Sequence, residues 1–441
     1  MRFSNQDLRK LLIPLVIEQL LGSLMGMADT LMVSSCGESA VSGISIVDTL
    51  SYVLIILFSA MASGGSVVVA QFKGKGKPDM VSRAANQVFI SVVGISLIIT
   101  TIALAGNYAI LKAIYGSIEP DVMAAARTYF YFSALSFPFL GLYNSGAALF
   151  RAVGNSKVSM NVSLIANLMN IVGNAVLIYV FDLGVLGASI STLASRIVSA
   201  LAILYLLKKT GEIELAKKWR LDFGLLKKIL YVGVPNGLEN SMFQLGKVLL
   251  SSLIATFGTI AITANAVTNT VANFQHIPST AIGMAMITVI GQCIGANEVD
   301  QAKYYLKKLL RISYGCVIVL GILLVIFARP IFGLYHLGNE TIELAIQLLS
   351  YSAICSMLTH PLSFGQAHAL RAAGDVRYTM VVSVLSMWFC RILLAYVLAD
   401  HMQMGVMGVW IAMTIDWVVR AICFTFRIHS GKWLRFIKKI V

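Results

Sequence analysis

The sequence predicts an all-α polytopic membrane protein with about 12 transmembrane helices in two pseudo-symmetric six-helix lobes. Three observations lead to this fold class. The 441 residues are 58% hydrophobic and 12% charged, apolar runs recur along the whole chain, and several motifs of the first half return in the second. A bilayer core of roughly 30 Å needs about 20 apolar residues per helix. Helices are expected because a span in lipid must satisfy its own backbone, and these runs exceed barrel strands of about ten residues.

The first apolar run, 11–33, contains only two ionisable residues, Glu18 and Asp29. Further runs of similar length follow it to the end of the chain. The predicted spans are 11–33, 39–70, 88–106, 128–149, 158–181, 187–207, 229–257, 261–291, 312–328, 346–369, 379–398 and 406–426. An even number of spans returns both termini to the same side of the membrane.

The basic residues predict the orientation. Of the 34 Lys and Arg, 27 fall on the N-terminal side and in alternate loops, whereas only Lys112, Arg127 and Arg329 fall on the opposite side. The positive-inside rule therefore places both termini in the cytoplasm of a multi-pass protein of the cell (plasma or inner) membrane. The net charge of +14 then belongs to cytoplasmic loops, and no nucleic-acid partner is expected.

The chain repeats itself at an offset of 220 or 221 residues. The longest polar stretch, 208–228, lies between the two copies and is interpreted as a cytoplasmic linker between an N-lobe, 1–207, and a C-lobe, 229–441. Each copy contains six spans, so the two copies have the same orientation and are related by an axis along the membrane normal. A pair of lobes of this kind offers a cleft that can open to one side of the membrane at a time, as transport requires. The repeated motifs are Pro14 to Glu18 with Pro235 to Glu239, Gln71 to Gly74 with Gln292 to Gly295, Arg151 to Asn155 with Arg371 to Asp375, and Gly184 to Gly187 with Gly405 to Gly408.

Several classes of protein are poorly supported. The six cysteines are scattered without CxxC or Cys/His spacing, which argues against a disulfide framework and a zinc site. The phosphate-binding pattern GxxxxGK[ST] is absent, as are HExxH and GxSxG. Neither an enzyme nor a cofactor is expected.

Asp29 is the first candidate for a functional residue because a carboxyl group within a span is costly unless it has a use or a partner. It could exchange a proton or coordinate a hard cation together with neutral oxygens. Asn167, Asn170 and Asn174 share one face of the fifth span, although this polar face could equally serve helix packing. Further oxygens are available on the sixth span from Ser189, Ser191 and Thr192.

The second half carries a different polar set. Glu239, equivalent to Glu18, could bind a cation or stabilise the helix start behind its proline. Lys247 could neutralise Glu239 or attract an anionic substrate group. His276 and His360 precede prolines by one or two residues within apolar runs, where each could carry a proton or simply pack. We expect Asp416 and Arg420, at i and i+4, to form a structural pair.

These features resemble the multidrug and toxic compound extrusion (MATE) family along essentially the whole chain. The segments that carry the resemblance are Asp29-Thr-Leu-Met-Val, Gln71-x-x-Gly74, Arg151-Ala-Val-Gly154-Asn155, the asparagine-rich fifth span with Gly184-Val-Leu-Gly187-Ala188, and Pro235 to Glu239. The resemblance implies two six-helix bundles that export amphipathic, often cationic compounds in exchange for H⁺ or Na⁺.

The resemblance also implies an N-lobe cation or proton site at Asp29, Asn170, Asn174 and Thr192. Prokaryotic relatives often have Asp where this chain has Asn174. In the C-lobe, another branch uses a Glu on the seventh helix and an Asp on the tenth. Glu239 lies earlier than that Glu and His360 takes the place of the Asp, so proton exchange is favoured over sodium binding there.

The sequence thus predicts a secondary antiporter that exports amphipathic, cationic drugs or toxic metabolites in exchange for H⁺ or Na⁺ by alternating access. Its partners are the small-molecule substrate and the lipid bilayer, and a monomer is expected. The alternative is a lipid-linked oligosaccharide flippase of the related superfamily. That function would need a cleft lined with several Arg or Lys for the pyrophosphate, and only Lys247, Arg196 and Arg391 are available.

Overall fold

The computed structural model describes residues 2–116, 118–214, 220–335 and 337–439, and twelve long helices dominate this part of the chain. Each predicted span falls on one of them, which confirms the all-α fold class. The helices are α1 (Asn5–Ser34), α2 (Glu38–Gly74), α3 (Pro78–Ala105), α4 (Pro120–Val153), α5 (Ser156–Val180), α6 (Gly184–Thr210), α7 (Phe223–Ala255), α8 (Thr259–Gly295), α9 (Val299–Ile326), α10 (Asn339–Ala372), α11 (Val376–His401) and α12 (Gly405–His429).

The helices extend beyond the predicted spans, most of all at α9. This helix begins at Val299 rather than at 312 because its first turns carry charged residues that an apolar pattern leaves out. Within the described ranges, ten helices are long and apolar enough to cross a membrane. The other two, α4 and α7, contain 34 and 33 residues, which at 1.5 Å per residue also suffices.

The repeat is visible in the backbone turns. Gly154 after α4 and Gly374 after α10 have φ values of 100° and 89°, which only glycine adopts without a steric penalty. Gly37 and Gly258, before α2 and α8, have φ values of 99° and 91°. The two halves therefore change direction at equivalent places with the same backbone conformation.

The chain forms two compact units. The N-unit is Asn5–Gly237, and the C-unit is Leu238–Val441 together with Met1–Ser4. The first residues belong to the C-unit because the backbone N–H groups of Arg2 and Phe3 donate to Gln301 Oε1 and Tyr305 Oη at 2.7 and 2.9 Å. The division lies within α7. The lobe bounds 1–207 and 229–441 and the linker 208–228, of which 215–219 lies outside the described residues, stay predictions.

Each unit packs its helices around a core of its own. In the N-unit, α4 lies against α2, α3 and α6, and α5 lies between α1 and α6. In the C-unit, α8 packs against α9 and α10, and α12 packs against α10 and α11. The contacts of α5 with α1 and α6 matter most here because they bring the predicted polar residues of three helices together.

Candidate functional site

The four residues predicted for the N-lobe form one hydrogen-bonded cluster. Asn174 Nδ2 on α5 donates to Asp29 Oδ1 on α1 at 2.5 Å and reaches Asn170 Oδ1 at 3.3 Å. Asn170 Nδ2 in turn donates to Thr192 Oγ1 on α6 at 3.4 Å. The structure therefore brings Asp29, Asn170, Asn174 and Thr192 together, while their part in cation or proton coupling stays a prediction. Asn167 makes no hydrogen bond through its amide nitrogen within the described residues.

Local backbone features set this geometry. Asn170 and Asn174 are one turn apart on α5, so their side chains share a face. A Cβ atom at Gly173 would lie 2.4 Å from Ser191 Oγ, and the bare glycine therefore allows α5 and α6 to approach closely. Ser191 Oγ donates to the Asn170 carbonyl at 2.8 Å. Directly after Asn174 the helix widens into a π-helical turn, Ala175–Val180, a feature often found beside functional residues.

Three further residues complete the cluster, and the sequence analysis did not assign them to it. The Tyr129 side chain on α4 interacts with the Asp48 carboxylate on α2 and with the Thr192 hydroxyl. Arg196, one turn after Thr192, interacts electrostatically with both Asp29 and Asp48. Its guanidinium donates to Ser136 Oγ at 2.6 Å. Asp48 falls within the second predicted span, but no spacing rule relates it to Asp29.

We call these seven residues the acidic cluster. It contains two carboxylates and one guanidinium and so carries one net negative charge. Tyr129 is buried, Asp29 is half-buried and Asp48 is exposed. Within the part of the chain that the structure describes, no ion pair within 4 Å joins Asp29 to an arginine. Among the described residues, Asp29 Oδ1 accepts the hydrogen bond from Asn174 and Asp29 Oδ2 accepts none.

The two glutamates predicted as equivalent form equivalent ion pairs. Glu18 on α1 pairs with Arg151 at 2.8 Å and accepts a hydrogen bond from Ser159. Glu239 on α7 pairs with Arg371 at 2.7 Å. The partners come from the repeated motifs at the ends of α4 and α10, which explains why the glutamates and these arginines repeat together. Glu239 has Arg371 as its partner, and Lys247 makes no ion pair with Glu239 among the described residues.

His276 on α8 and His360 on α10 lie directly against each other. Their rings stack with centroids 4.2 Å apart and 9° between the planes. His276 Nε2 lies 3.0 Å from Ser356 Oγ, and His360 Nδ1 lies 3.1 Å from Ser279 Oγ. Trp417 contacts both rings with its edge. The imidazoles therefore face separate serines and do not converge on a single point between them.

The predicted C-lobe polar residues thus occupy three places. The histidine pair, the Glu239 pair and Lys247 are not joined by any hydrogen bond or ion pair among the described residues. In that same part of the chain, no group of three or more His, Cys, Asp or Glu could hold a metal ion. The expected Asp416 and Arg420 pair is present, with Arg420 Nε 2.8 Å from Asp416 Oδ1.

A family model decides what kind of protein this is. The model described as MatE matches residues 14–176 and 235–397, which is most of the chain. The two matches begin at the offset at which the sequence repeats. The chain belongs to the MATE family. It is a multi-pass membrane transporter, and MATE transporters handle small-molecule substrates.

Related MATE proteins match this chain along nearly its whole length. The "Uncharacterized transporter YisQ" of Bacillus subtilis is 28% identical over 96% of this chain and 93% of that protein. The "Probable multidrug resistance protein NorM" of Thermotoga maritima is 25% identical over 97% of this chain and 93% of its own length. These similarities support multidrug efflux as the activity of the family.

Solved MATE structures share the fold. A MATE crystal structure in the bent conformation superimposes with a TM-score of 0.90 at 19% identity, over 98% of this chain and 96% of that one. An outward-facing MATE transporter of the MOP superfamily gives a TM-score of 0.91 at 19% identity, over 98% of this chain and 96% of the other. Two lobes of six helices are therefore confirmed.

Proposed function

We propose that this MATE transporter is a secondary antiporter that exports amphipathic small molecules in exchange for H⁺ or Na⁺, with Asp29 as the coupling residue. The observation that carries the proposal is the setting of this carboxylate. It lies on a membrane helix, contacts a buried amide and hydroxyl chain from α5 and α6, and forms no ion pair with an arginine among the residues that the structure describes.

The charge of the acidic cluster supports exchange of one cation at a time. One proton or one Na⁺ neutralises Asp29, Asp48 and Arg196 taken together. Asp48 also supplies the second carboxylate that Asn174 lacks relative to many prokaryotic relatives. Inward movement of one positive charge yields about 2.3 kcal/mol per 100 mV, which would shift a two-state equilibrium by more than tenfold.

Alternating access follows from the differential binding that the cluster allows. Asp29 without a bound cation or proton carries a negative charge that repels Asp48 and attracts the N–H donors of the cluster. Asp29 with a cation or proton bound does neither, so the two states would favour different positions of α1 against α5 and α6. We further propose that the protein resides in a prokaryotic plasma membrane with both termini in the cytoplasm, as the 27 basic residues on one side indicate.

The direct test replaces Asp29 with Asn, which keeps the shape and removes the charge. We expect Asp29→Asn to abolish dye efflux from vesicles under an imposed H⁺ or Na⁺ gradient, each gradient being applied alone. Asp182→Asn makes the same chemical change on an exposed turn and should transport like the parent. Equal amounts of both variants in the membrane show that insertion is intact. Ion-driven efflux by Asp29→Asn at the parent rate would contradict the proposal.

A further inference from the structure

The C-unit contains an arginine in the middle of its helices whose side chain has no hydrogen-bond acceptor among the described residues. The Arg391 side chain on α11 is only 10% exposed, and it forms a long ion pair with Asp416, with 3.8 Å between Nη1 and Oδ2. That separation is too long for a hydrogen bond. Among the described residues the guanidinium of Arg391 donates no hydrogen bond, and its Nε atom is buried. A buried donor such as this N–H is costly to leave unsatisfied away from water, and the guanidinium carries four further N–H donors.

The single carboxylate beside Arg391 is already engaged by another arginine. Arg420 Nε donates to Asp416 Oδ1 at 2.8 Å, and Arg420 also donates to Ser386 Oγ and to the Ser383 carbonyl. Asp416 is completely buried. Because it carries a single negative charge, it neutralises one arginine at most. The guanidinium groups of Arg391 and Arg420 lie over the Phe243 ring at 5.2 and 4.7 Å from its centroid. Cation–π contact lessens the charge imbalance without removing it.

Lys247 adds a third positive charge at the same place. It follows Phe243 by one turn on α7, and it is next to Gly246, where an added Cβ would lie 2.2 Å from Met387 Cε. Met387 precedes Arg391 by one turn, and Lys247 interacts electrostatically with Arg391. The Lys247 side chain is exposed, and within a membrane such a charge faces a water-filled path rather than lipid. We call Lys247, Arg391 and Arg420 with Asp416 the basic cluster.

The other carboxylates on these helices do not compensate for the excess charge, because Glu239 is paired with Arg371 and Asp400 lies exposed at the end of α11. The basic cluster therefore carries two net positive charges. At the offset of 221, Arg391 corresponds to Asn170 of the acidic cluster, and α7, α11 and α12 correspond to α1, α5 and α6. Equivalent helices of the two units thus carry clusters of opposite charge.

We infer that Lys247 and Arg391 bind an anionic group of the transported substrate, a carboxylate or phosphate on an amphipathic molecule. Arg391 offers unused donors in a planar arrangement that fits such a group, and Lys247 provides a second charge on the accessible side. The substrate class is therefore zwitterionic or anionic amphipaths rather than simple cations. This inference rests on the proposed function only for the statement that the bound molecule is transported.

The test compares two probes that share one cationic xanthene ring system, a dye with a free carboxylate and its ethyl ester. Binding to the purified transporter in detergent is measured by fluorescence anisotropy, with no ion gradient. We expect the free carboxylate to bind at least about tenfold more tightly than the ester, as a charged hydrogen bond would give. Lys247→Met and Arg391→Gln should each bring the ratio close to one without weakening the ester, and Arg391→Lys should restore part of it.

Two controls separate this inference from the proposed function. Lys303→Met removes an exposed lysine of the C-unit and should keep the parent ratio, as should Asp29→Asn, which is expected to fail only in ion-driven efflux. Lys247 makes no ion pair among the described residues, so its variant should fold even if that of Arg391 does not. Equal affinity of the parent for both dyes would overturn the inference. So would ester binding that strengthens with added chloride, because an inorganic anion would then balance the basic cluster.

Discussion

The contribution of an ion pair to the stability of this protein depends on how deeply the pair is buried. The side chains of Glu239 and Arg371 are 8% and 12% exposed, whereas Arg329 and Glu343 form an ion pair with exposures of 72% and 52%. Removing one partner of a buried pair leaves a charge without compensation and costs about 3 to 5 kcal/mol. An exposed pair contributes at most about 1 kcal/mol.

Glu239→Gln should therefore lower the apparent Tm of the purified protein by about 3 to 5 °C, because Arg371 loses its buried partner. Arg329→Gln, which breaks the exposed pair, should change the apparent Tm by less than about 2 °C. Thermal unfolding in detergent, followed by tryptophan fluorescence, measures both. Shifts of similar size in the two variants would show that Glu239 contributes no buried pairing energy.

Single residues were predicted from sequence where one helix was enough to reveal them. Asp29 stands out because it is an acid in an apolar run, and Asn170 and Asn174 because helical spacing places them on one face. Asp48, Tyr129 and Arg196 could not be placed, since their meeting depends on the relative rotation of α2, α4 and α6. The stacking of His276 on His360 was hidden for the same reason.

At the scale of helices, close approach depends on a few glycines. A Cβ atom at Gly64 on α2 would lie 2.3 Å from the Ile229 carbonyl oxygen and 2.9 Å from the Gly233 nitrogen on the first turns of α7. Both atoms belong to the backbone, so the clash can be relieved only by moving a helix. At Gly94 on α3, an added Cβ would meet no atom within 4 Å.

Gly64→Ala should therefore destabilise the protein by about 1 to 3 kcal/mol, the usual cost of overpacking. Gly94→Ala makes the identical change in open space, and it should be neutral or slightly stabilising because alanine favours helix. Monodisperse yield and apparent Tm after detergent extraction would show the difference. A Gly64→Ala protein as stable as Gly94→Ala would mean that α2 and the start of α7 are not in backbone contact.

Helix existence was predicted well and helix length less well. Twelve apolar runs identified twelve helices because lipid leaves the backbone few alternatives. A hydropathy pattern detects neither charged helix ends nor π-helical turns. It therefore did not predict the charged first turns of α9 or the π-helical turns at Ala175–Val180 and Pro361–Gly365. Pro361 lacks an N–H group, which explains why regular helical bonding is interrupted there.

For the whole molecule, the repeat produces two units with equivalent helices and turns, and these units carry clusters of opposite net charge. The glutamate pairs and the glycine turns recur in both units, whereas the acidic cluster is found in one and the basic cluster in the other. The repeated motifs were evident from the sequence alone. The difference between the clusters was not, because it depends on which charges have partners in space.

Coupling requires that substrate binding and cation binding at Asp29 exclude each other within one transporter. The most direct measurement is cation release when substrate is added to purified protein in weakly buffered detergent solution, with a pH indicator for H⁺ and a radioactive tracer for Na⁺. The parent protein should release about one cation per transporter, in keeping with the single net charge of the acidic cluster. Asp29→Asn should release none while still binding substrate. Equal release from both proteins would contradict a coupling role for Asp29.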